Sequence, residues 1–202
     1  MSPADLAMLD AIRLGLRGKP FREDPKFDTH DWDFLLHRAD EQEILPLVLD
    51  AIWHCRSFHA ADADLCQRSR ERVLAIASRQ IVQTNEFLTL LLHAQARGLD
   101  PIVLKGITVR SLYPKPMLRP SVDEDILVSP DQVEAWHAFL LSEGLEEDEP
   151  DADRSRADEL SYHRPESPTY IELHLSLFPH GSAAYGDLNR LFGGTFEGTV
   201  RV

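Results

Sequence analysis

Two aspartates separated by one residue, Asp123 and Asp125, constrain the fold of this chain more than any other feature. They open an apolar segment, residues 122–128, that is predicted to be a strand. Because successive side chains of a strand point to opposite faces of the sheet, the two carboxylates are expected on the same face. Two neighbouring carboxylates suit Mg²⁺, which proteins usually hold with one or two carboxylates and substrate phosphates. Acidic residues also gather in turns at strand ends, so a solvated turn stays open as the alternative.

The residues before this strand predict a turn from a strand into a helix. An apolar strand over residues 101–104 leads through Lys105-Gly106 into a short helix over residues 106–113. Amides at a helix N-terminus bind phosphate readily, and a glycine lets the backbone approach a phosphate closely. Lys105 is then expected to pair with a phosphate group. A glycine that serves only the turn is the alternative.

Several short motifs together resemble the uncharacterised nucleotidyltransferase family. These motifs are Leu104-Lys105-Gly106, Leu112-Tyr113-Pro114, Arg119-Pro120, Asp123-Glu124-Asp125-Ile126-Leu127-Val128 and Ile171-Glu172-Leu173-His174. The resemblance covers residues 100–178 well and the preceding helical region loosely, and its motifs are specific only in combination. It implies a DNA-polymerase-beta-like nucleotidyltransferase fold with two metal-binding aspartates and a third acid on a neighbouring strand.

The third acid is Glu172, in a segment over residues 169–177 that alternates between apolar and polar side chains. Glu172 and His174 are expected on the face opposite to the apolar side chains. If this strand lies beside residues 122–128, three carboxylates meet, and divalent ions between them can activate an attacking oxygen and stabilise a leaving pyrophosphate. Glu172 would then help to deprotonate the nucleophile. An ordinary half-exposed strand is the alternative, and His163 and His174 have either a structural or a supporting role.

Two residues of the motif region leave alternatives open. Arg119 is expected either to orient a phosphate or to pair with the aspartates. Glu124 departs from the family pattern, which has an apolar residue between the two aspartates. Because an unpaired buried carboxylate is costly, either this end of the strand is exposed or Glu124 has a partner.

Composition limits the compartment and the partners. The chain has 34 acidic and 21 basic residues and a formal net charge of -13, which disfavours DNA or RNA as a partner. Cys55 and Cys66 have no metal-ligand spacing and are expected to be free thiols in a reducing cytoplasm. The sequence shows no signal-peptide pattern and no apolar run of the roughly 20 residues that span a membrane. A cytoplasmic protein without a membrane partner is therefore expected.

The periodicity predicts an α+β protein in two regions. Residues 1–98 read as a helical unit, whose longest helix covers residues 63–97 and ends at Gly98. Residues 99–202 read as a small mixed nucleotidyltransferase sheet with helices, on which the helical unit packs. The acid-rich residues 146–159 are expected to be an exposed, mobile loop, and residues 195–202 to be a strand. The family's C-terminal helical portion is not visible, which is typical of a short member or a fragment.

Together these observations predict an enzyme. It would transfer a nucleoside monophosphate from a nucleoside triphosphate to an acceptor hydroxyl, on a small molecule or a protein but not on nucleic acid, with Mg²⁺ or Mn²⁺ as cofactor. Asp123, Asp125 and Glu172 are the expected catalytic and metal-binding residues. Lys105, Gly106 and Arg119 are the expected nucleotide-binding residues. The alternative function is a nucleotide- or partner-binding module that keeps the fold without turnover.

Overall fold

The computed structural model describes residues 2–151, 153–154, 157–181 and 188–192. Its contacts divide the chain into two compact units, Met1–Ile81 with Val109–Pro120, and Val82–Thr108 with Ser121–Val202. The boundary at residue 98, between a helical region and a nucleotidyltransferase-like region, stays a prediction. Segments of the two units alternate along the sequence. A 34-residue helix, Ala63–Ala96, contributes to both units, and residues 109–120 belong to the first unit.

The first unit is helical, as the apolar periodicity predicts. Its helices are α1 (Pro3–Gly15), α2 (Thr29–Glu41), α3 (Leu45–Ile52), α4 (Arg56–Ala60) and the first part of α5 (Ala63–Ala96). Side chains of Ser2 and Asp28 accept hydrogen bonds from backbone amides in the first turns of α1 and α2, which fixes where these helices begin. Trp32 and Phe58 are fully buried in its core and pack edge to face.

The second unit is built on a five-stranded mixed sheet. Its strands are β1 (Ile102–Val103), β2 (Glu124–Leu127), β3 (Glu146–Glu147), β4 (Glu159–His163) and β5 (Tyr170–His174), and its helices include the rest of α5 and α7 (Val133–Ser142). The strands lie in the order β1-β2-β5-β4-β3, and only β2 and β5 run parallel. A four-residue helix, α6 (Ile107–Arg110), follows β1. The predicted mixture of helices with a mixed sheet is therefore confirmed.

One face of this sheet packs on the core of the second unit, and the other face carries polar side chains. In β5, Ile171 and Leu173 are buried in the core with Trp136 of α7 and Phe87 of α5. Glu172 lies between the two apolar residues and therefore points to the opposite, open face. The alternation that the sequence predicts for this strand is confirmed.

The acid-rich residues 146–159 are not simply an exposed loop. The strand β3 pairs with β4, and the side chain of Glu147 is only 5% exposed. The guanidinium of Arg154 donates two hydrogen bonds to the Glu147 carboxylate, at 2.6 and 3.1 Å. The prediction is wrong here because an ion pair compensates the burial of this acid, and composition alone does not reveal such a pair. The strand predicted over residues 195–202 lies outside the described residues.

Among the described residues, no helix combines the length and the apolar character that a membrane span requires.

Candidate metal centre

The parallel pairing of β2 and β5 brings two of the predicted acids together. Asp125 lies directly beside Glu172 in the register of the two strands, and Leu127 lies beside His174. The Nε2 of His174 is 2.9 Å from Oδ1 of Asp125 and 3.6 Å from Oε2 of Glu172. One ligand atom from each of Asp125, Glu172 and His174 lies within 4.8 Å of the others. These three side chains are therefore close enough to hold one metal ion.

The ammonium of Lys105 lies among the acids of this centre. Its Nζ is 2.8 Å from Oδ1 of Asp125, 3.5 Å from Oδ2 of Asp123 and 4.0 Å from Oε2 of Glu172. The backbone N–H of Leu104, the preceding residue, donates to the carbonyl of Asp125 at 3.0 Å, which holds the lysine beside β2. The three predicted acids thus converge on one cationic group. The sequence assigns Lys105 to a triphosphate and misses this contact, because it joins residues that only the pairing of β1 with β2 brings together.

The environment shifts the pKa values of this centre in opposite directions. Burial raises the pKa of Glu172 to about 7. A hydrogen bond with Asp125 and the negative charges of Asp123 and Asp125 act in the same direction. Burial would also raise the pKa of Asp125, but the hydrogen bond from His174 and the nearby Lys105 ammonium outweigh burial, and the pKa is lowered. The hydrogen bond to Asp125 raises the pKa of His174. Two carboxyl groups whose pKa values move apart are suited to different roles.

The chemistry of these donors fits a divalent metal ion. Asp125 is completely buried, and its Oδ2 has no hydrogen-bond partner within the part of the chain that the structure describes. An unpartnered buried carboxylate oxygen is costly unless a cation or a donor compensates it. Carboxylate oxygens suit Mg²⁺ and Mn²⁺, and the imidazole of His174 adds a ligand that Mn²⁺ accepts. Asp125, Glu172 and His174 are the residues that would hold the ion. Asp123 is not in this group, but its Oδ2 lies 3.5 Å from the Nζ of Lys105.

A second acidic group with metal-ligand spacing lies at the start of α2, in the first unit. It consists of Asp28, His30 and Asp31. Both aspartates already accept hydrogen bonds from backbone amides of the helix N-terminus, at 3.4 Å and 2.9 Å. Helix capping therefore accounts for this group, and only the centre on the sheet has an unpartnered buried oxygen among the described acids of the two groups.

Gly106 and Glu124 form the turn that carries Lys105. The carboxylate of the fully buried Glu124 accepts a hydrogen bond from the Ile107 N–H at 2.8 Å. Gly106 has a φ of +63°, and a Cβ at this position would lie 2.1 Å from the Glu124 Oε2. Of the two alternatives for Glu124, burial with a partner is thus the observed one. Phosphate binding by the Gly106 backbone stays a prediction, and the neighbouring Ile107 amide already donates to Glu124.

Arg119 belongs to the first unit, whereas the acidic centre belongs to the second. It directly follows a single 3-10 turn over Pro116–Leu118. Its Nη1 is buried and has no hydrogen-bond partner in the ranges that the structure describes. Both of its expected roles, with a phosphate or with the aspartates, stay predictions.

On one face of the mixed sheet, carboxylates and a histidine surround a single lysine. This arrangement defines a candidate cation-binding centre. The chain belongs to the uncharacterised nucleotidyltransferase family, whose model matches residues 28–200. The resemblance that the motifs indicate is thereby confirmed. Comparisons with curated protein sequences and with solved structures return no match. The family supports a nucleotidyltransferase at the level of the reaction class, with a nucleotide as substrate.

Proposed function

We propose that this protein transfers a nucleoside monophosphate from a nucleoside triphosphate to an acceptor hydroxyl in a reaction that depends on Mg²⁺ or Mn²⁺. The observation that carries the proposal is the buried Asp125, whose Oδ2 has no partner in the described part of the chain and which lies beside Glu172. A family of nucleotidyltransferases and an acidic centre on neighbouring strands together favour a polymerase-beta-like arrangement of the second unit.

In this proposal, Asp123, Asp125 and Glu172 hold the metal, with His174 as a further ligand or as the group that orients Asp125. When bound, the metal would neutralise phosphate charge and make the acceptor hydroxyl more acidic. The acceptor oxygen forms a bond to the α-phosphorus, and the bond from this phosphorus to the bridging oxygen breaks. The electron pair of that bond leaves with pyrophosphate.

Glu172 is the proposed acceptor of the hydroxyl proton. Its pKa of about 7 is raised by burial first, and then by its hydrogen bond with Asp125 and by the nearby negative charges. A carboxylate with a pKa near the working pH is matched to general base catalysis. Because Glu172 also lies in the candidate metal centre, its protonation and metal binding oppose each other. We therefore expect turnover to rise with pH as Glu172 loses its proton, with a midpoint below 7 because a bound metal ion favours the charged carboxylate.

Lys105 is the residue that we propose to bind the triphosphate, with Gly106 and Arg119 as further candidates. Its side chain is 50% exposed and contacts the acids from the side of the turn. Lysine binds phosphate as a point charge and needs no fixed geometry. The ammonium can therefore contact a phosphate that approaches the same acids together with its metal.

The proposed acceptor is neutral or cationic and is not a nucleic acid. The chain has a formal net charge of -13. The open face of the sheet adds Glu159, whose carboxylate is 3.7 Å from Nδ1 of His174. Such a surface repels a phosphate backbone and attracts cations. Small molecules or proteins that present a hydroxyl group beside an amine fit this charge.

A second candidate function is a binding module without turnover. The observation that favours it is the Lys105 ammonium, which contacts Asp123, Asp125 and Glu172 and partly compensates their charge without any metal. A centre that is stable in this state could bind a nucleotide or a partner and transfer nothing.

One experiment separates the two functions. Nucleoside triphosphates are screened with Mg²⁺ or Mn²⁺ against amino alcohols, sugars and hydroxyl-bearing proteins, while pyrophosphate release and triphosphate binding are measured. Asp125→Asn is the test variant, and Asp50→Asn is the matched control, because Asp50 also pairs with a lysine, Lys115, at 2.6 Å. We expect Asp125→Asn to reduce pyrophosphate release at least about 100-fold, a typical loss for a group that acts in the transition state, and Asp50→Asn to retain it. Metal-dependent triphosphate binding without pyrophosphate release in the wild type would favour the binding module.

A further inference from the structure

We propose that Lys105 is a built-in counter-ion that competes with the divalent metal for one position. Metal binding would then release the lysine, and the released ammonium would become available to an anionic ligand. This inference rests on the proposed metal dependence of the site. It adds an order of events, with metal first and the triphosphate gaining its lysine contact afterwards.

The distances around Lys105 carry the inference. Its Nζ lies 2.8 Å from Asp125 Oδ1 and within 4.0 Å of oxygens of both Asp123 and Glu172. A Mg²⁺ ion binds carboxylate oxygens at about 2.0–2.1 Å. An ion that uses the same oxygens would therefore lie within a few ångström of the ammonium. Two cations at that separation repel each other strongly in a partly buried site, so both cannot keep their contacts.

The lysine can leave without any rearrangement of the core. Its side chain is 50% exposed, whereas Asp125, its closest partner, has a side chain that is not exposed at all. Only rotation about side-chain bonds is needed to move the ammonium into solvent, and such rotations are fast for exposed side chains. The acids are held by β2 and β5, and the lysine follows β1, so the movable member of the cluster is the cation.

The competition predicts that removal of the lysine improves metal binding. In the metal-free protein the ammonium compensates part of the negative charge of three carboxylates, and a metal ion must give up that compensation to enter. Lys105→Met removes the competitor and leaves every candidate ligand in place. Lys115→Met is the matched control, because Lys115 pairs with Asp50 in the first unit and its side chain is 53% exposed.

The test is a titration with Mn²⁺ alone, without nucleotide. Binding is monitored by calorimetry or by the electron paramagnetic resonance signal of Mn²⁺. We expect Lys105→Met to bind Mn²⁺ about tenfold more tightly than the wild type, which corresponds to about 1.4 kcal/mol, and Lys115→Met to match the wild type. Equal or weaker binding by Lys105→Met would overturn the competition while leaving the metal site intact. Equal binding is expected if the ion uses only the free Oδ2 of Asp125 and leaves the lysine in place. Absence of Mn²⁺ binding in all three proteins would overturn the proposed function, and the inference with it.

A second measurement uses the wild-type protein and does not depend on the folding of a variant. The protein is treated briefly with an amine-acetylating reagent with and without Mn²⁺, and modification of each lysine is quantified by mass spectrometry. We expect Mn²⁺ to increase acetylation of Lys105 several-fold and to leave Lys115 unchanged. If calorimetry shows bound Mn²⁺ while the acetylation of Lys105 does not change, the lysine is not displaced and the inference is wrong.

Discussion

Glu172→Gln should change how the stability of the metal-free protein depends on pH. Burial, the hydrogen bond with Asp125 and the neighbouring negative charges raise the pKa of Glu172 from 4.5 to about 7. A carboxyl group whose pKa is raised by folding binds its proton more tightly in the folded protein than in the unfolded chain. Its contribution to stability is therefore complete below pH 4.5 and is lost as the pH rises to 7. Glutamine cannot titrate, so the variant lacks this dependence.

The magnitude follows from the two pKa values. One pKa unit corresponds to about 1.36 kcal/mol, so a rise from 4.5 to about 7 is worth about 3 kcal/mol in total. Between pH 4.5 and 6.5 the expected loss is about 2 kcal/mol, because part of the change falls outside this window. The side chain of Glu172 is only 22% exposed, so solvent screens this difference little.

The window from pH 4.5 to 6.5 isolates Glu172 from its neighbours. The pKa of Asp125 is lowered from its ordinary value of 3.8, so this carboxyl group is mainly ionised in both the folded and the unfolded state throughout the window. His174 has a pKa raised above 6.5, so it stays protonated in the folded protein across the window, and the unfolded histidine begins to lose its proton only at the upper end of the window. The difference between wild type and Glu172→Gln therefore reports on Glu172 itself.

The assay is urea unfolding in EDTA at pH 4.5, 5.5 and 6.5. We expect the free energy of unfolding of the wild type, relative to Glu172→Gln, to fall by about 2 kcal/mol across the series. Glu146→Gln is the control, because Glu146 is an exposed glutamate of β3 that lies outside the acidic centre. A constant difference between wild type and Glu172→Gln would refute the argument that burial and the two aspartates perturb this carboxyl group.

Three further predictions concern the same unit. Asp125→Asn should lower the stability of the metal-free protein by about 1–3 kcal/mol in urea unfolding, because its two cationic partners lose a buried charge; an unchanged midpoint would contradict the observed pairing. Gly106→Ala should cost about 2 kcal/mol more than Gly98→Ala. Both glycines have positive φ, but only at Gly106 does a Cβ meet an atom, the Glu124 Oε2, whereas nothing lies within 4 Å at Gly98; equal losses would exclude the steric contact. Triphosphate binding, measured by calorimetry, should weaken at least about tenfold in EDTA because bare phosphates meet several carboxylates; tight, salt-sensitive binding of RNA without metal would contradict the proposed acceptor.

The local patterns of the candidate site could be predicted from the sequence. The alternation of residues 169–177 places Ile171 and Leu173 on one face and Glu172 on the other, and the structure confirms this arrangement. Spacing within one strand depends only on the geometry of the extended backbone, so a short sequence is sufficient. Whether Glu172 lies beside Asp125 could only be stated as a condition, because that pairing joins residues 47 positions apart, and parallel strands need a long connection.

The contacts that depend on tertiary pairing were harder to predict. The sequence restricts Glu124 to an exposed strand end or a buried pairing, but it does not identify the Ile107 amide as the partner. The burial of Glu147 depends on a guanidinium seven residues later, that of Arg154, inside a segment whose composition is typical of a loop. In both places a specific donor stabilises a buried acid, and a pattern of hydrophobicity contains no information on that donor.

The contact between Gly106 and Glu124 has a consequence for how this part of the chain can vary. The strand β2 uses consecutive residues for separate tasks, since Glu124 fixes the backbone of the turn and Asp125 receives the lysine that the turn carries. A side chain at position 106 would collide with the carboxylate of a glutamate at position 124, so that one of the two would have to shift. Relatives that carry a residue larger than glycine at 106 should therefore carry a shorter side chain at 124. These two positions are expected to covary, although neither belongs to the group of three acids that we propose to bind the metal.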